Sequence, residues 1–200
     1  MNGTRANNAV HMPPSIVPGI TLGIVGHRAD RIADPARVHA TISKILAGVV
    51  AALRAERAHN LRLVSALAEG ADRIAAEAAL ESGFALDAVL PFPPDEYRTD
   101  FETSGSRAAF DALLGRAESV LTLDGASDKR ALAYDAAGIA MLDNCDLLIA
   151  VWDGGPGRGR GGTRDVIDEA VRRAMPIVTI SPDGAETVLR VPVPTPRQTI

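Results

Sequence analysis

An apolar run from Asp146 to Trp152 ends in Asp153-Gly154-Gly155 and is followed by a glycine-rich loop and the segment Gly161-Gly162-Thr163. No other stretch limits the fold so tightly. A continuous apolar run of this length, closed by turn residues, is the pattern of a strand buried on both faces of a parallel sheet. The loop Gly154 to Gly162 holds six glycines and two arginines, Arg158 and Arg160. Beyond it, the residues from Thr163 to Ala174 read as an amphipathic helix. The first N–H groups of a helix lack partners and carry the positive end of its dipole, so glycines approaching that end make a phosphate cradle. The bland alternative is a loop whose glycines serve turn geometry alone.

Strand and helix signals alternate along the rest of the chain. Strands are expected at 21–26, 61–66, 86–90, 120–123, 146–152 and 177–180, and helices at 35–57, 71–82, 107–117, 131–143 and 163–174. Pro91 to Phe101 cannot continue a central strand, because proline has no N–H to give to a ladder. The expectation is a Rossmann-like α/β three-layer fold with an open, mostly parallel sheet of about six strands. Residues 1–18 read as a flexible N-terminal segment, 19–184 as the nucleotide-binding domain, and 185–200 as a Pro-rich C-terminal tail.

The chain has 200 residues, a formal charge of −4 and only 4% aromatic residues, which suits one domain with an aliphatic core. Its acidic balance argues against a general nucleic-acid surface. Lys44 and Lys129 are the only lysines; the other basic residues are arginines, suited to bidentate contacts with phosphate. Cys145 is the single cysteine, which excludes an internal disulfide; it reads as a small buried side chain more readily than as a catalytic thiol. His11, His27, His39 and His59 show no metal-ligand spacing, so no metal site is expected and Mg2+ could at most accompany the ligand. No apolar run is read as long enough to span a bilayer, and no signal-peptide pattern opens the chain; a cytoplasmic protein is expected.

In open α/β sheets ligands sit beyond the carboxyl ends of the strands. Four segments fall there: Gly26 to Arg28, Ala66 to Asp72, Pro91 to Tyr97 and Trp152 to Thr163. Gly26, His27 and Arg28 offer an amide, an imidazole and a guanidinium; His27 is either an acid–base group or an exposed loop histidine. Glu69 is a candidate for ribose hydroxyls and Gly70 permits close backbone approach, whereas Asp72 reads as serving the helix dipole. Phe92, Tyr97 and Phe101 either stack on a base or cover the end of the sheet. On the last helix Thr163, Ile167, Ala170, Val171 and Ala174 are expected inward, with Asp165, Glu169 and Arg172 outward.

The segments GIVGHR (23–28), SALAEGADRIAAEAAL (65–80), LPFPPDEYRTDF (90–101) and CDLLIAVWDGGPGRGRGGTRDVIDEA (145–170) together resemble the SLOG superfamily. It groups Rossmann-like domains of DNA-processing protein A with phosphoribohydrolases of the Lonely Guy type. The last unit is also similar to nucleoside 2-deoxyribosyltransferases. The resemblance implies a nucleotide or nucleotide-derived ligand over Gly161, Gly162 and Thr163, with its base toward the other strand ends; Gly26, His27, Arg28, Glu69, Gly70, Asp153, Gly154 and Arg160 are the further candidate binding residues around it. The phosphoribohydrolases carry P-G-G-x-G-T-x-x-E, and the glutamate position is Val166 here. An apolar residue cannot stabilise a positive charge developing on ribose. Binding or sensing of a nucleotide is therefore the first expectation, with a homodimer and a separate effector protein as partners and no membrane or nucleic acid. The alternative is N-glycosidic hydrolysis or transfer on nucleoside monophosphates, with Glu69 and then Asp153 as the catalytic carboxylates.

Overall fold

The computed structural model describes residues 19–54, 60–157 and 161–191. The expected flexible segment 1–18 and the candidate Arg160 lie outside the described residues. In chain order the elements are β1 (Gly19–Gly26), α1 (Pro35–Arg54), β2 (Asn60–Ser65), α2 (Ala71–Glu81), β3 (Ala85–Leu90), the single turn α3 (Pro94–Tyr97), α4 (Ser104–Leu114), β4 (Ser119–Thr122), α5 (Arg130–Asp143), β5 (Leu147–Val151), α6 (Thr163–Arg172), β6 (Ile177–Ile180) and β7 (Thr187–Arg190). The sheet order is β4-β3-β2-β1-β5-β6-β7, parallel throughout except for the antiparallel pairing of β7 with β6.

Two hydrophobic layers form because successive side chains of a strand face opposite ways. Ile149 and Val151 of β5 join Leu22, Ile24, Leu63 and Leu86 under α1 and α2. Leu148 and Ala150 join Val64 and Val89 under α5 and α6. This is the expected Rossmann-like fold, with one strand more than the expected six. β7 lies inside the segment read as a tail. All four of its residues are exposed, so it carries no alternation of apolar and polar residues by which to find it. The turn before β7 is fixed on α1, where Thr41 Oγ1 donates to Gly184 O at 3.0 Å, and on the loop before α1, where Ala33 N donates to Pro182 O at 3.0 Å.

Other differences are local. β5 stops at Val151, one residue before Trp152. α4 begins at Ser104, earlier than expected, because the Thr103 side chain caps it by accepting from Ser106 N. Among the described residues α1 is, by length and composition alone, able to cross a membrane, contrary to the expectation that no stretch could. Here it covers the sheet through Val38, Ile42 and Leu46, all fully buried. Phe92, Tyr97 and Phe101 are also buried and pack with Phe110, ring centroids 5.1 to 6.4 Å apart, so the covering role is the one observed.

The inward face of α6 is rotated from the expected one. Val166, Ile167 and Ala170 are buried, while Val171 is 44% exposed and Ala174 is exposed. Gly138 of α5 supplies the reason: a side chain there would collide with Val166 Cγ2 at 2.7 Å, so its absence makes the notch that receives Val166. Glu169, expected on the solvated side, is turned inward to 9% exposure. Its carboxylate is held by Arg172 and by Arg173 Nε at 2.6 Å.

Candidate functional site

β1 lies beside β2 on one side and β5 on the other, and the helices that follow β1 and β5 lie on opposite faces of the sheet. The chain therefore opens a crevice at the carboxyl ends of these two strands. A cavity of about 380 Å³ fills it. Its walls come from the loop after β1, the turns after β2 and β3, one flank of α5 and the start of α6. That volume lies in the usual range for a small-molecule site.

Gly26, His27, Arg28, Gly161, Gly162 and Thr163 all line the cavity, as expected. A Cβ on Gly26 would meet Ala71 Cβ at 2.5 Å, so that glycine serves the packing of β1 on α2. His27 is 4% exposed, which settles against an exposed loop histidine. Its backbone extends the sheet by donating to Val151 O at 3.0 Å, and its carbonyl accepts from Ala71 N at 3.1 Å. His27 Nε2 lies 3.1 Å from Asp153 Oδ1 and 3.3 Å from Asp153 N. One ring nitrogen cannot donate to the first and accept from the second at once, so the protonation of Nε2 decides which contact forms.

The start of α6 is built by glycine. Gly161 has φ of +78°, and a Cβ there would stand 2.6 Å from Ala131 O and 2.7 Å from Asp135 N. Only a residue without a side chain lets the loop press this closely on α5. Gly161 N donates to Asp165 Oδ2 at 2.9 Å, a bond closed within the helix turn. Gly162 is the N-cap, with extended backbone and no side chain capping the helix. The first N–H groups of the helix have no side-chain cap, and Gly162, Thr163 and Arg164 line the cavity.

The remaining expected residues are not on the cavity wall. Glu69 accepts from Ser106 Oγ and faces Arg73, so it is engaged with α4 and α2. Gly70 has φ of +94° and its missing Cβ makes room for His27 O at 2.4 Å; the close approach is by the chain itself. Asp153 binds Arg31 Nη2 at 2.5 Å and accepts from Gly155 N at 2.9 Å. That amide, the His27 contact and the Arg31 charge hold its carboxyl down to about 2, an ionised group already committed to partners. Gly154 has φ of +78° with open space where a side chain would stand. Cys145 sits on the far side of the sheet core against Gly23, Met141 and Met175, and burial pushes its thiol up to about 12. No thiolate nucleophile is available there.

Sequence reasoning missed Asp72. It lines the cavity yet is only 6% exposed. Ser65 Oγ donates to its Oδ2 at 3.3 Å, and the N–H groups of Ala68 and Ala66 point at the carboxylate. Burial outweighs these bonds and raises the carboxyl from 3.8 to about 6. The signal that could have found it was the Ser65-to-Asp72 spacing, which joins the end of a buried strand to the first turn of the next helix. Tyr97, Tyr134, Trp152 and Arg164 complete the wall.

Asp72 has a consequence for stability. A carboxyl raised in the folded state stabilises fully below its unfolded value near 3.8, and that contribution is lost as pH rises through about 6. The difference of 6 and 3.8, about 2 pH units, corresponds to about 3 kcal/mol at most. Asp72→Asn, which has no charge to desolvate, is expected to be about 1–2 kcal/mol more stable than the parent at pH 8 and to lose that advantage at pH 4. Urea unfolding at the two pH values checks it; an Asp72→Asn protein less stable at pH 8 contradicts it.

No protein-family profile matches the chain, and no curated protein matches it. Among solved structures it is similar to DNA processing protein A from Streptococcus pneumoniae, at 21% identity over 80% of this chain and 50% of that one, with a TM-score of 0.56. The chain thus spans half the length of that protein. It is also similar to DNA processing protein A from Helicobacter pylori, described for its single-stranded DNA binding mode, at 17% identity over 80% of this chain and 65% of that one, with a TM-score of 0.49. The likeness to the Streptococcus pneumoniae protein shows the Rossmann-like fold that the motifs led us to expect.

Proposed function

We propose that this chain binds a nucleotide or nucleotide-derived ligand in the crevice between β1 and β5, its phosphate resting on the N–H groups of Gly162, Thr163 and Arg164. The observation that carries the reading is the start of α6, without a side-chain cap, on the cavity wall with Arg164 in its first turn. A helix terminus left without a side-chain cap and carrying a guanidinium in its first turn favours an anion. The ligand is held and not consumed. Val166 occupies the glutamate position of the phosphoribohydrolase pattern and is buried against Gly138. Glu69 and Asp153, the carboxylates an N-glycosidase would call on, are engaged with Ser106 and with Arg31.

Native mass spectrometry of the purified protein with nucleoside mono-, di- and triphosphates and cyclic nucleotides tests this, and it reads the proposed homodimer in the same spectrum. A retained, unchanged nucleotide is the expected result. Released base would favour the N-glycosidic alternative, and no bound nucleotide would refute the reading. The fold likeness to the DNA processing protein A of Streptococcus pneumoniae supports a second reading, a DNA strand. An oligothymidylate included in the panel decides it, since a DNA-binding groove would retain the oligomer and leave single nucleotides free.

A further inference from the structure

The cavity has chemically different ends, and the sheet order sets them apart. The α6 start follows β5, whereas Asp72 follows β2, two strands further along the edge. An anion at the first end places the rest of a single nucleotide toward the second.

Two carboxylates line the cavity among the described residues, Asp30 and Asp72. Asp30 is exposed at the rim; Asp72 is buried. The charged and titratable groups facing Asp72 are Arg28 from the loop after β1, Arg73 from its own helix and Tyr97 from α3. Arg73 is committed to Leu67 O and to Ser106. Tyr97 is buried and stays a neutral phenol, pushed above its ordinary value by burial and by the neighbouring Asp72. Across the cavity, Tyr134 gives its hydroxyl to Asp100. A carboxylate has about four acceptor positions. Ser65 Oγ takes one of these, and the nearby amides of Ala68 and Ala66 leave the set unfilled.

We infer that Asp72 reads the base: the cavity selects a nucleotide whose ring carries an exocyclic amine, and that amine donates to the acceptor position the protein leaves open on the Asp72 carboxylate. The inference rests on the phosphate reading of the α6 end. Ionised Asp72 accepts at this position, whereas the protonated acid donates from it, so the preference changes with pH near 6. Asp72→Asn should reproduce the protonated preference at every pH. The amides of Ala68 and Ala66 require the oxygen of the new side chain, which turns its NH2 group to the cavity.

The experiment compares AMP with purine riboside 5′-monophosphate, which lacks only the amine, by calorimetry on the full chain, with ribose 5-phosphate as the base-free probe. At pH 8 AMP is expected to bind about tenfold tighter than its deaminated analogue. The ratio collapses at pH 5, and it is already collapsed at pH 8 in Asp72→Asn. Using the ratio cancels the second ionisation of the phosphate near 6, which both ligands share. A purely structural Asp72 would alter stability and leave the ratio alone. Equal affinities at pH 8, or a ratio unmoved by Asp72→Asn, overturn the inference. Ribose 5-phosphate binding as tightly as AMP overturns it too while sparing the phosphate reading; binding of none of the three overturns both.

Discussion

Gly162→Asp is expected to abolish nucleotide binding, by 100-fold or more, while leaving the protein folded and within about 1 kcal/mol of its original stability. The two effects separate because of what Gly162 does. Its φ of −86° and ψ of 173° are extended backbone open to any residue, so the substitution brings no strain. Asp is among the best N-cap residues, and its carboxylate would bond the N–H groups of the first turn of α6. Of the N–H groups within its reach, that of Arg164 is one assigned to the phosphate. The new charge would occupy the anion site from within and repel any second anion. Thermal unfolding and calorimetry on the same sample check both halves. A variant that keeps its affinity for nucleotide removes α6 from the site, and one that unfolds leaves the loss of binding without meaning for the site.

Gly70→Ala is expected to destabilise the protein by about 4 kcal/mol, the largest single-residue effect foreseen away from the α6 start. Gly70 combines φ of +94° with ψ of −126°, a conformation closed to side-chain-bearing residues. An added Cβ would sit 2.4 Å from His27 O and 2.7 Å from Ala29 N. Both neighbours are backbone and cannot swing aside. Moving them breaks the bond from Ala71 N to His27 O, by which the start of α2 is tied to the end of β1. His27 and Arg28 would shift with it, so affinity should fall alongside stability. Urea unfolding measures the first and calorimetry the second. A loss under 1 kcal/mol would show that the loop after β1 yields more easily than its contacts indicate.

The main architecture was legible in the sequence because buried parallel strands are written as apolar runs and because glycine marks the turn into α6. Leu147–Val151 and Thr163–Arg172 stand where the pattern put them. What escaped was decided by contacts between segments far apart in the chain. Gly70 reads as an opening for a ligand and Gly26 as a source of an amide, yet the space each provides is filled by the chain, by His27 O and by Ala71 Cβ. Glu69 looked free at a helix start, and only the fold brings Ser106 of α4 to it. Asp72 looked like a dipole partner, and burial at the cavity floor makes it something else. Helical periodicity placed Glu169 outward, whereas the notch at Gly138 turns α6 and takes Glu169 in with it. β7 had no pattern to read, since both its faces are exposed.

Backbone amide NMR during a nucleotide titration tests the central claim most directly. With AMP added, the N–H resonances of Gly162, Thr163 and Arg164 are expected to move downfield further than any others, as amides do when they take up a charged acceptor. Ribose 5-phosphate should move the same three and spare the neighbourhood of Asp72. Shifts that fall elsewhere on the sheet edge, or an unchanged spectrum at millimolar nucleotide, would contradict the account.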